Sequence, residues 1–280
     1  MNNAAERSLP IQDTLTESEL ARISALIYQR AGIVLNGQKK DMVYNRLSRR
    51  LRELGMHRFN DYMSLLEADH GTSEWQIFIN AMTTNLTSFF REAYHFPLLA
   101  KHAQTRRGMY NVWCAAASTG EEPLSIAITL EETLGPGITP RVIATDIDTD
   151  VLSKARNGVY RLSDLDNLTE QQKKNGFLRG TGSHKDKVKA KKSLLSTIHY
   201  KRLNLIDPQW DIPAPFDAIF CRNVMIYFDK ETQEQLMQRF AKMLKPGGIL
   251  FVGHSEHFGT SNGPFRLRGQ SVYGLAEENQ

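Results

Sequence analysis

The stretch WCAAASTGEEP, Trp113 to Pro123, decides how the second half of the chain reads. A short apolar run, Met109 to Val112, leads into it. The outline is a strand, a loop of small residues, and a helix that opens on two carboxylates. Its only glycine is Gly120. Loops that cradle nucleotide phosphates use several glycines, so that the backbone can approach the ligand closely. Carboxylates at Glu121 and Glu122 favour the helix dipole. They also occupy the place where a phosphate would sit, and two of them would repel it. A ligand carrying an amine or a sulfonium suits that position better.

Outward from this loop, strands and helices alternate. A helix is expected from about Glu121 to Leu134, and RVIATDID is a strand ending at Asp146. A helix follows at about Val151 to Asn157. FDAIFCRNV is a strand, Lys230 to Leu244 a helix, GGILFVGHS a strand, and FRLRGQSVYGLA a terminal strand or hairpin. Apolar strands alternating with helices imply an α/β fold with a parallel sheet covered on both faces. Gly180-Thr-Gly182 reads as a turn, and Val188 to Leu205 is strand-like and basic. A small antiparallel β insertion is therefore expected at about 160–202.

The first eighty residues read as helices only. Thr16 and Glu19 form a capping box, with Leu20, Ile23 and Ile27 following at helical spacing. A second helix spans roughly Gln38 to Leu54, with Val43, Leu47, Leu51 and Leu54 as its apolar stripe. Lys39, Arg46, Arg49 and Arg50 fall on one adjacent arc. Neighbouring cations without acidic partners one turn on repel one another, so this face reads as a docking surface. Shorter helices follow at about Phe59 to Ala68 and Ser73 to Met82. TTNLTSFFREAYHF, Thr83 to Phe96, then breaks the pattern before a helix to about Arg107.

A chain of 280 residues suits two modest domains, or one α/β domain with an extension. Hydrophobic residues make up 41% and charged residues 24%, enough apolar material for full cores. No apolar run approaches the ~18 residues of a membrane span. MNNAAERSLPIQD lacks the basic start and apolar core of a secretory signal. Cys114 and Cys221 sit in apolar segments and read as reduced core thiols of a cytoplasmic protein. His254 and His257 have no further ligands beside them in sequence, so no metal is expected. The net charge of +4 is unevenly spread: Asn36 to Arg58 carries +5, Gln171 to Arg202 carries +9, and the remainder carries −10. An acidic body with two basic patches points to acidic partners met at defined places.

Ligands of open α/β sheets sit at the carboxyl ends of the strands. Three such ends carry polar residues here: the opening loop, Asp146 and Asn223. Asp146 lies near the offset at which a carboxylate takes ribose hydroxyls. Together they outline a nucleoside site, and the acidic helix start selects an adenosyl group with a cationic tail, S-adenosylmethionine. LKPGGIL, Leu244 to Leu250, adds a helix-to-strand turn common in class I methyltransferases.

TTNLTSFFRE, AAASTGEEP, ATDID and FCRNVMIYFD, in this order behind a small helical domain, closely resemble the chemotaxis receptor methyltransferases of the CheR type. The resemblance runs over nearly the whole chain. It implies a class I S-adenosylmethionine-dependent methyltransferase (Rossmann-like) domain at 110–280 with the β insertion. A receptor-facing helical domain at 1–83 and a linker at 84–109 that contributes to the cofactor site complete the expected organisation. The implied activity is methyl transfer from S-adenosylmethionine to glutamate side chains of membrane chemoreceptors, leaving glutamyl methyl esters and S-adenosylhomocysteine. Family cofactor contacts fall on Asn85, Thr87, Arg91, Glu122, Asp146, Asn204, Leu205, Asn223 and Val224. Lys39, Arg46, Arg49 and Arg50 correspond to the part that faces the receptor helices. The insertion corresponds to a β-subdomain that in some members takes a receptor C-terminal peptide by strand addition. A cytoplasmic monomer recruited to receptor arrays is expected, with no nucleic-acid partner.

A glutamate acceptor is already ionised at pH 7, so no general base is needed. Arg91 and Tyr227 are the expected catalytic residues. Arg91 anchors the cofactor end or the acceptor carboxylate, and Tyr227 donates a hydrogen bond near the transferred methyl. Two other readings are a nucleic-acid methyltransferase and a non-catalytic cofactor-sensing adaptor. RNVMIY stands where amino-methylating DNA enzymes place Asn/Asp-Pro-Pro-aromatic, which opposes the first.

Overall fold

Thr16 starts the first helix, α1 (Glu17–Ala31), as its sequence implies. Its hydroxyl accepts from the Glu19 amide at 3.2 Å, while the Glu19 carboxylate accepts from the Thr16 amide at 2.9 Å. The computed structural model describes residue 12 and residues 14–68, 73–135, 140–258 and 263–276. Most of the N-terminal stretch read for a secretory signal lies outside these. The chain divides into two compact units, Met1–Thr84 and Asn85–Gln280.

In the first unit α1 is followed by α2 (Lys40–Leu54), α3 (Phe59–Ala68) and α4 (Ser73–Met82). Each buries one stripe: Leu20, Ile23 and Ile27 of α1, Val43, Leu47 and Leu51 of α2, Tyr62 and Leu66 of α3, Phe78 and Ile79 of α4.

The basic arc of α2 departs from expectation, because its arginines do have partners. Glu53 lies one turn after Arg49 and pairs with it at 3.3 Å, and it also accepts from Arg50 at 3.0 Å. Arg50 further forks onto Glu74, which also accepts from the Tyr62 hydroxyl at 2.7 Å. Arg46 donates to the carbonyls of Ala81 and Thr83, closing the end of α4. Glu53 was present in the sequence at the right spacing. Glu74 was not foreseeable, since the fold alone brings it to α2.

The second unit begins with α5 (His95–Gln104) and β1 (Asn111–Cys114), then α6 (Glu121–Thr133), β2 (Arg141–Asp146) and α7 (Thr149–Asn157). The middle comprises β3 (Val159–Arg161), α8 (Glu170–Gly176), β4 (Phe177–Arg179), β5 (Lys187–Ala190), the single turn α9 (Lys192–Leu195) and β6 (Ile198–Arg202). β7 (Phe216–Cys221), α10 (Lys230–Met243), β8 (Leu244–Val252), β9 (Phe265–Gly269) and β10 (Val272–Leu275) complete it. Among the described residues the main sheet has seven strands in the order β6-β2-β1-β7-β8-β10-β9. Pairing is parallel from β6 to β8, and the β9–β10 hairpin closes the edge antiparallel. The order reverses between β1 and β7, and ligands of such sheets gather at that switch point.

Two boundaries differ from the sequence reading. The small antiparallel sheet, order β3-β5-β4, ends at Ala190, whereas β6 pairs parallel with β2 in the main sheet. Lys201 and Arg202 made that strand look like part of the appendage; they are exposed because β6 is an edge. The 84–109 segment is likewise no mere linker. Phe89 is fully buried and packs edge-on against Tyr160 and Phe177 at 5.0 and 5.6 Å, and Phe96 and Leu99 join the same core.

Reversing the charge of the exposed Arg49 is expected to leave stability within about 0.5 kcal/mol of wild type. Arg50→Glu places a carboxylate against the buried Glu74 and beside the exposed Glu53, and a loss of about 3 kcal/mol is expected. Urea unfolding of the two variants measures the difference. Equal losses would contradict this division of roles.

Candidate active site

The loop after β1 turns sharply at Ser118 and Gly120, with φ of 47° and 103°. Only glycine suits the second position: a Cβ there would lie 2.6 Å from the Tyr160 hydroxyl and 2.9 Å from Ala155 Cβ. Tyr160 in turn donates to the Thr119 carbonyl at 2.9 Å. The loop is thus pressed against the small sheet, with Ala115 and Ala117 buried in the cores and Ala116 half-buried between them.

Asp146 closes β2, and its carboxylate is held entirely by main chain. Oδ2 accepts from the Ser118 amide at 2.8 Å and Oδ1 from the Asp148 amide at 3.0 Å. Burial pushes its pKa up to about 6, against the pull of these amides. Asp148 caps α7 and accepts from the Asn85 side chain at 2.8 Å. The Ser118 hydroxyl donates to the Asn85 carbonyl at 3.0 Å. Asn85 therefore joins the loops after β1 and β2. Leu203 donates its amide to the Asp146 carbonyl at 2.9 Å, which brings the buried Asn204 and Leu205 beside the same strand end. Arg239 of α10 supports that turn through the carbonyls of Leu205 and Asp207, its guanidinium 3.7 Å from the Trp210 ring centre.

The end of β7 carries a group the sequence reading passed over. Arg222 is 4% exposed and stands directly after a strand whose residues are all buried. Its Nη1 lies 2.9 Å from Glu122 Oε2, its Nη2 lies 3.2 Å from Glu92 Oε2, and it donates to the Arg91 carbonyl. Cys114 Sγ donates to the other Glu122 oxygen at 3.2 Å. Burial raises the Glu122 pKa, and the Arg222 guanidinium opposes this. Glu92 is held below the usual carboxylate range, because Arg222, the His254 amide and Asn223 outweigh its burial. His95, beside them, is pushed down to about 4 by burial and by Arg222, so it is neutral at pH 7. Two carboxylates share one guanidinium, and the ionised cluster carries one excess negative charge.

Asn223 takes a left-handed conformation, φ 57°, and its side chain donates to Glu92 Oε1 at 3.2 Å. Val224 begins the short 3-10 turn Met225–Tyr227 and is half-buried, as is Tyr227. Arg91 Nη1 donates to the Leu86 carbonyl at 2.9 Å, tightening the segment that holds Thr87.

The structure thus brings Asn85, Glu122, Asp146, Asn204, Leu205 and Asn223 to the carboxyl ends of β1, β2, β6 and β7. Thr87 and Arg91 lie in the segment that follows Asn85, and Val224 and Tyr227 in the turn that follows Asn223. Glu121, by contrast, accepts from the Thr119 hydroxyl at 2.6 Å within the loop itself. Lys39, Arg46, Arg49 and Arg50 belong to the other unit. Among the described residues no cluster of His, Cys, Asp and Glu is arranged to hold a metal.

This donor set fits an adenosyl ligand with a cationic tail. A carboxylate at the end of β2 suits a ribose diol. A loop of alanines allows close approach, and the excess negative charge suits an amine and a sulfonium while opposing a phosphate. Sequence signals for the missed residues existed: Arg222 is the lone cation in FDAIFCRNV, and Glu92 adjoins Arg91.

Arg222→Met leaves Glu122 and Glu92 buried without their cation, and a loss of about 3–5 kcal/mol is expected. Chemical unfolding of the purified variant measures it. A loss below about 1 kcal/mol would show that the network holds nothing together.

Comparison with known proteins agrees with this geometry. The profile described as "CheR methyltransferase, SAM binding domain" matches residues 85–273, and "CheR methyltransferase, all-alpha domain" matches residues 18–83. A chemotaxis protein methyltransferase of Klebsiella aerogenes is 58% identical over 94% of this chain and 91% of its own length. Its counterpart in Salmonella typhimurium is 58% identical over 94% of this chain and 92% of its own. That of Escherichia coli is 57% identical over 94% and 93%. The chain belongs to the CheR family of S-adenosylmethionine-dependent methyltransferases.

Proposed function

We propose that this protein methylates glutamate side chains on the cytoplasmic helices of chemoreceptors, forming γ-glutamyl methyl esters in chemotactic adaptation. The convergence of Asp146, the alanine loop and the Arg222-shared carboxylates at the strand-order switch carries this reading. The names of the relatives support the chemotactic setting. No helix among the described residues is long and apolar enough to cross a membrane. The receptors would be met at their cytoplasmic parts, in receptor arrays.

Asp146 would accept the ribose hydroxyls, with Asn204 and Leu205 beside the adenine. Asn85, Thr87 and Arg91 would close over the site, Asn223 and Val224 would border the sulfonium, and Glu122 with Glu92 would balance the amine. Bound S-adenosylmethionine supplies a methyl group activated by positive sulfur. The acceptor carboxylate, ionised at neutral pH, attacks without a base. The chain's own work is therefore alignment and exclusion of water. The Arg91 guanidinium would draw the acceptor carboxylate or the cofactor carboxylate into line. The Tyr227 hydroxyl would hydrogen-bond near the transferred methyl. Lys39, Arg46 and Arg49 would meet acidic receptor helices; Arg50 serves its own unit through Glu74. The small sheet β3-β5-β4 would take a receptor tail peptide, with the protein acting as a monomer.

Methyl transfer from tritiated cofactor to receptor-containing membranes, with base-labile counts, tests the reaction. Base-stable counts in nucleic acid would support the alternative substrate, and no counts at all an adaptor. Arg91→Ala is expected to lower turnover at least tenfold, about 1.4 kcal/mol of transition-state stabilisation. Unchanged steady-state kinetics would remove Arg91 from the mechanism.

Asp146 gives a pH signature. Its folded pKa, about 6, lies above its ordinary value, so protonation begins as pH falls through 6. Cofactor affinity should therefore weaken about tenfold between pH 7 and pH 5 as the acceptor is lost. Titration calorimetry across that range measures this, and the slope should vanish in Asp146→Asn. The same group's raised pKa opposes folding at neutral pH, so its own contribution to stability is greatest below about pH 4 and is lost as pH rises through 6.

A further inference from the structure

Glu256 lies just after β8, is 3% exposed, and takes no part in the chemistry above. Its carboxylate gathers main-chain amides from two segments. Oε2 accepts from Gly253 at 2.6 Å and from Asn223 at 2.9 Å. Oε1 accepts from Met225 at 2.8 Å, and the Ile226 amide also bonds to the carboxylate. The turn Met225–Tyr227 has no side-chain cap of its own, since Val224 supplies none. Glu256 caps it from outside.

The residues fixed this way matter. Asn223 sits in the left-handed region, which asparagine adopts more readily than other residues with a side chain, and its surroundings fix it there. Its amide is gripped by Glu256 and its side chain by Glu92. Tyr227 closes the turn that Glu256 caps. The packing leaves no slack: a Cβ on Gly253 would lie 2.5 Å from Asn223 Nδ2 and 2.8 Å from Glu256 Oε2.

We propose that Glu256 is a positioning residue that sets Asn223, on the cofactor side, and Tyr227, on the acceptor side, in one arrangement. This rests on the cofactor and acceptor roles proposed above. A carboxylate suits the task because it offers only acceptors to amides that only donate. Glutamine would turn a donor toward at least one of them.

The test uses the full-length protein at a temperature where circular dichroism shows each variant folded. Calorimetry with S-adenosylhomocysteine and steady-state kinetics with S-adenosylmethionine are the readouts. Glu256→Gln is expected to weaken S-adenosylhomocysteine binding about tenfold and to lower kcat about tenfold, since both Asn223 and Tyr227 are displaced. Glu256→Asp keeps the carboxylate and should recover binding to within about threefold of wild type. Gly253→Ala strikes Asn223 directly and should also weaken binding. If Glu256→Gln does not fold, the same measurements on Glu256→Ala decide the matter, with at least the roughly tenfold loss expected. A purely structural role predicts a lower melting temperature with binding and kcat within twofold of wild type per folded molecule, and that result overturns the proposal. If the wild-type protein itself binds no S-adenosylhomocysteine, the cofactor reading of the site fails, and this inference with it.

Discussion

The site depends on one buried guanidinium. Arg222 stands at the end of a strand whose other side chains are buried, and it meets Glu122 on α6, Glu92 in the segment before α5, and the carbonyl of Arg91. Removing such a charge from water is costly, and its partners offset that cost only when all are in place. The two carboxylates carry opposite trends, Glu122 raised by burial and Glu92 lowered by its donors. The cation therefore does more than neutralise. It joins the central strand, the helix after the opening loop and the segment over the strand ends, and it makes their positions interdependent.

The alternation of strands and helices was legible because each strand is a short apolar run bounded by polar or turn residues. FDAIFC is buried at every position, as expected of a central parallel strand. β6 was misread because it is an edge. IHYKR buries Ile198 and exposes its cations, a pattern that a local reading cannot tell from a two-stranded appendage. For the segment 84–109 the paired Phe89–Phe90 already spoke against a plain connector; what the fold adds is that Phe89, Phe96 and Leu99 join the core.

Site residues divide along similar lines. Asp146 and Asn223 were readable because strand-end position alone makes them candidates. Arg222 and Glu256 were hidden because their meaning lies in what they touch. Glu256 contacts main chain, which carries no sequence signal at all. The basic arc of α2 teaches the converse. Helical spacing grouped Arg46, Arg49 and Arg50 correctly, yet only the fold revealed that Arg50 is paired with Glu74 and that Arg46 donates to two carbonyls at the end of α4.

The segment from Asn85 to Glu92 is anchored by the side chains of Asn85, Phe89 and Glu92, and between them by its main chain. Arg222 holds the Arg91 carbonyl, Ser118 the Asn85 carbonyl, and Arg91 the Leu86 carbonyl. Main-chain atoms are the same whatever side chain is attached. Leu86, 81% exposed, can be exchanged without loosening that hold. Exposed side chains along this segment can therefore change while the main-chain hydrogen bonds that fix its path remain.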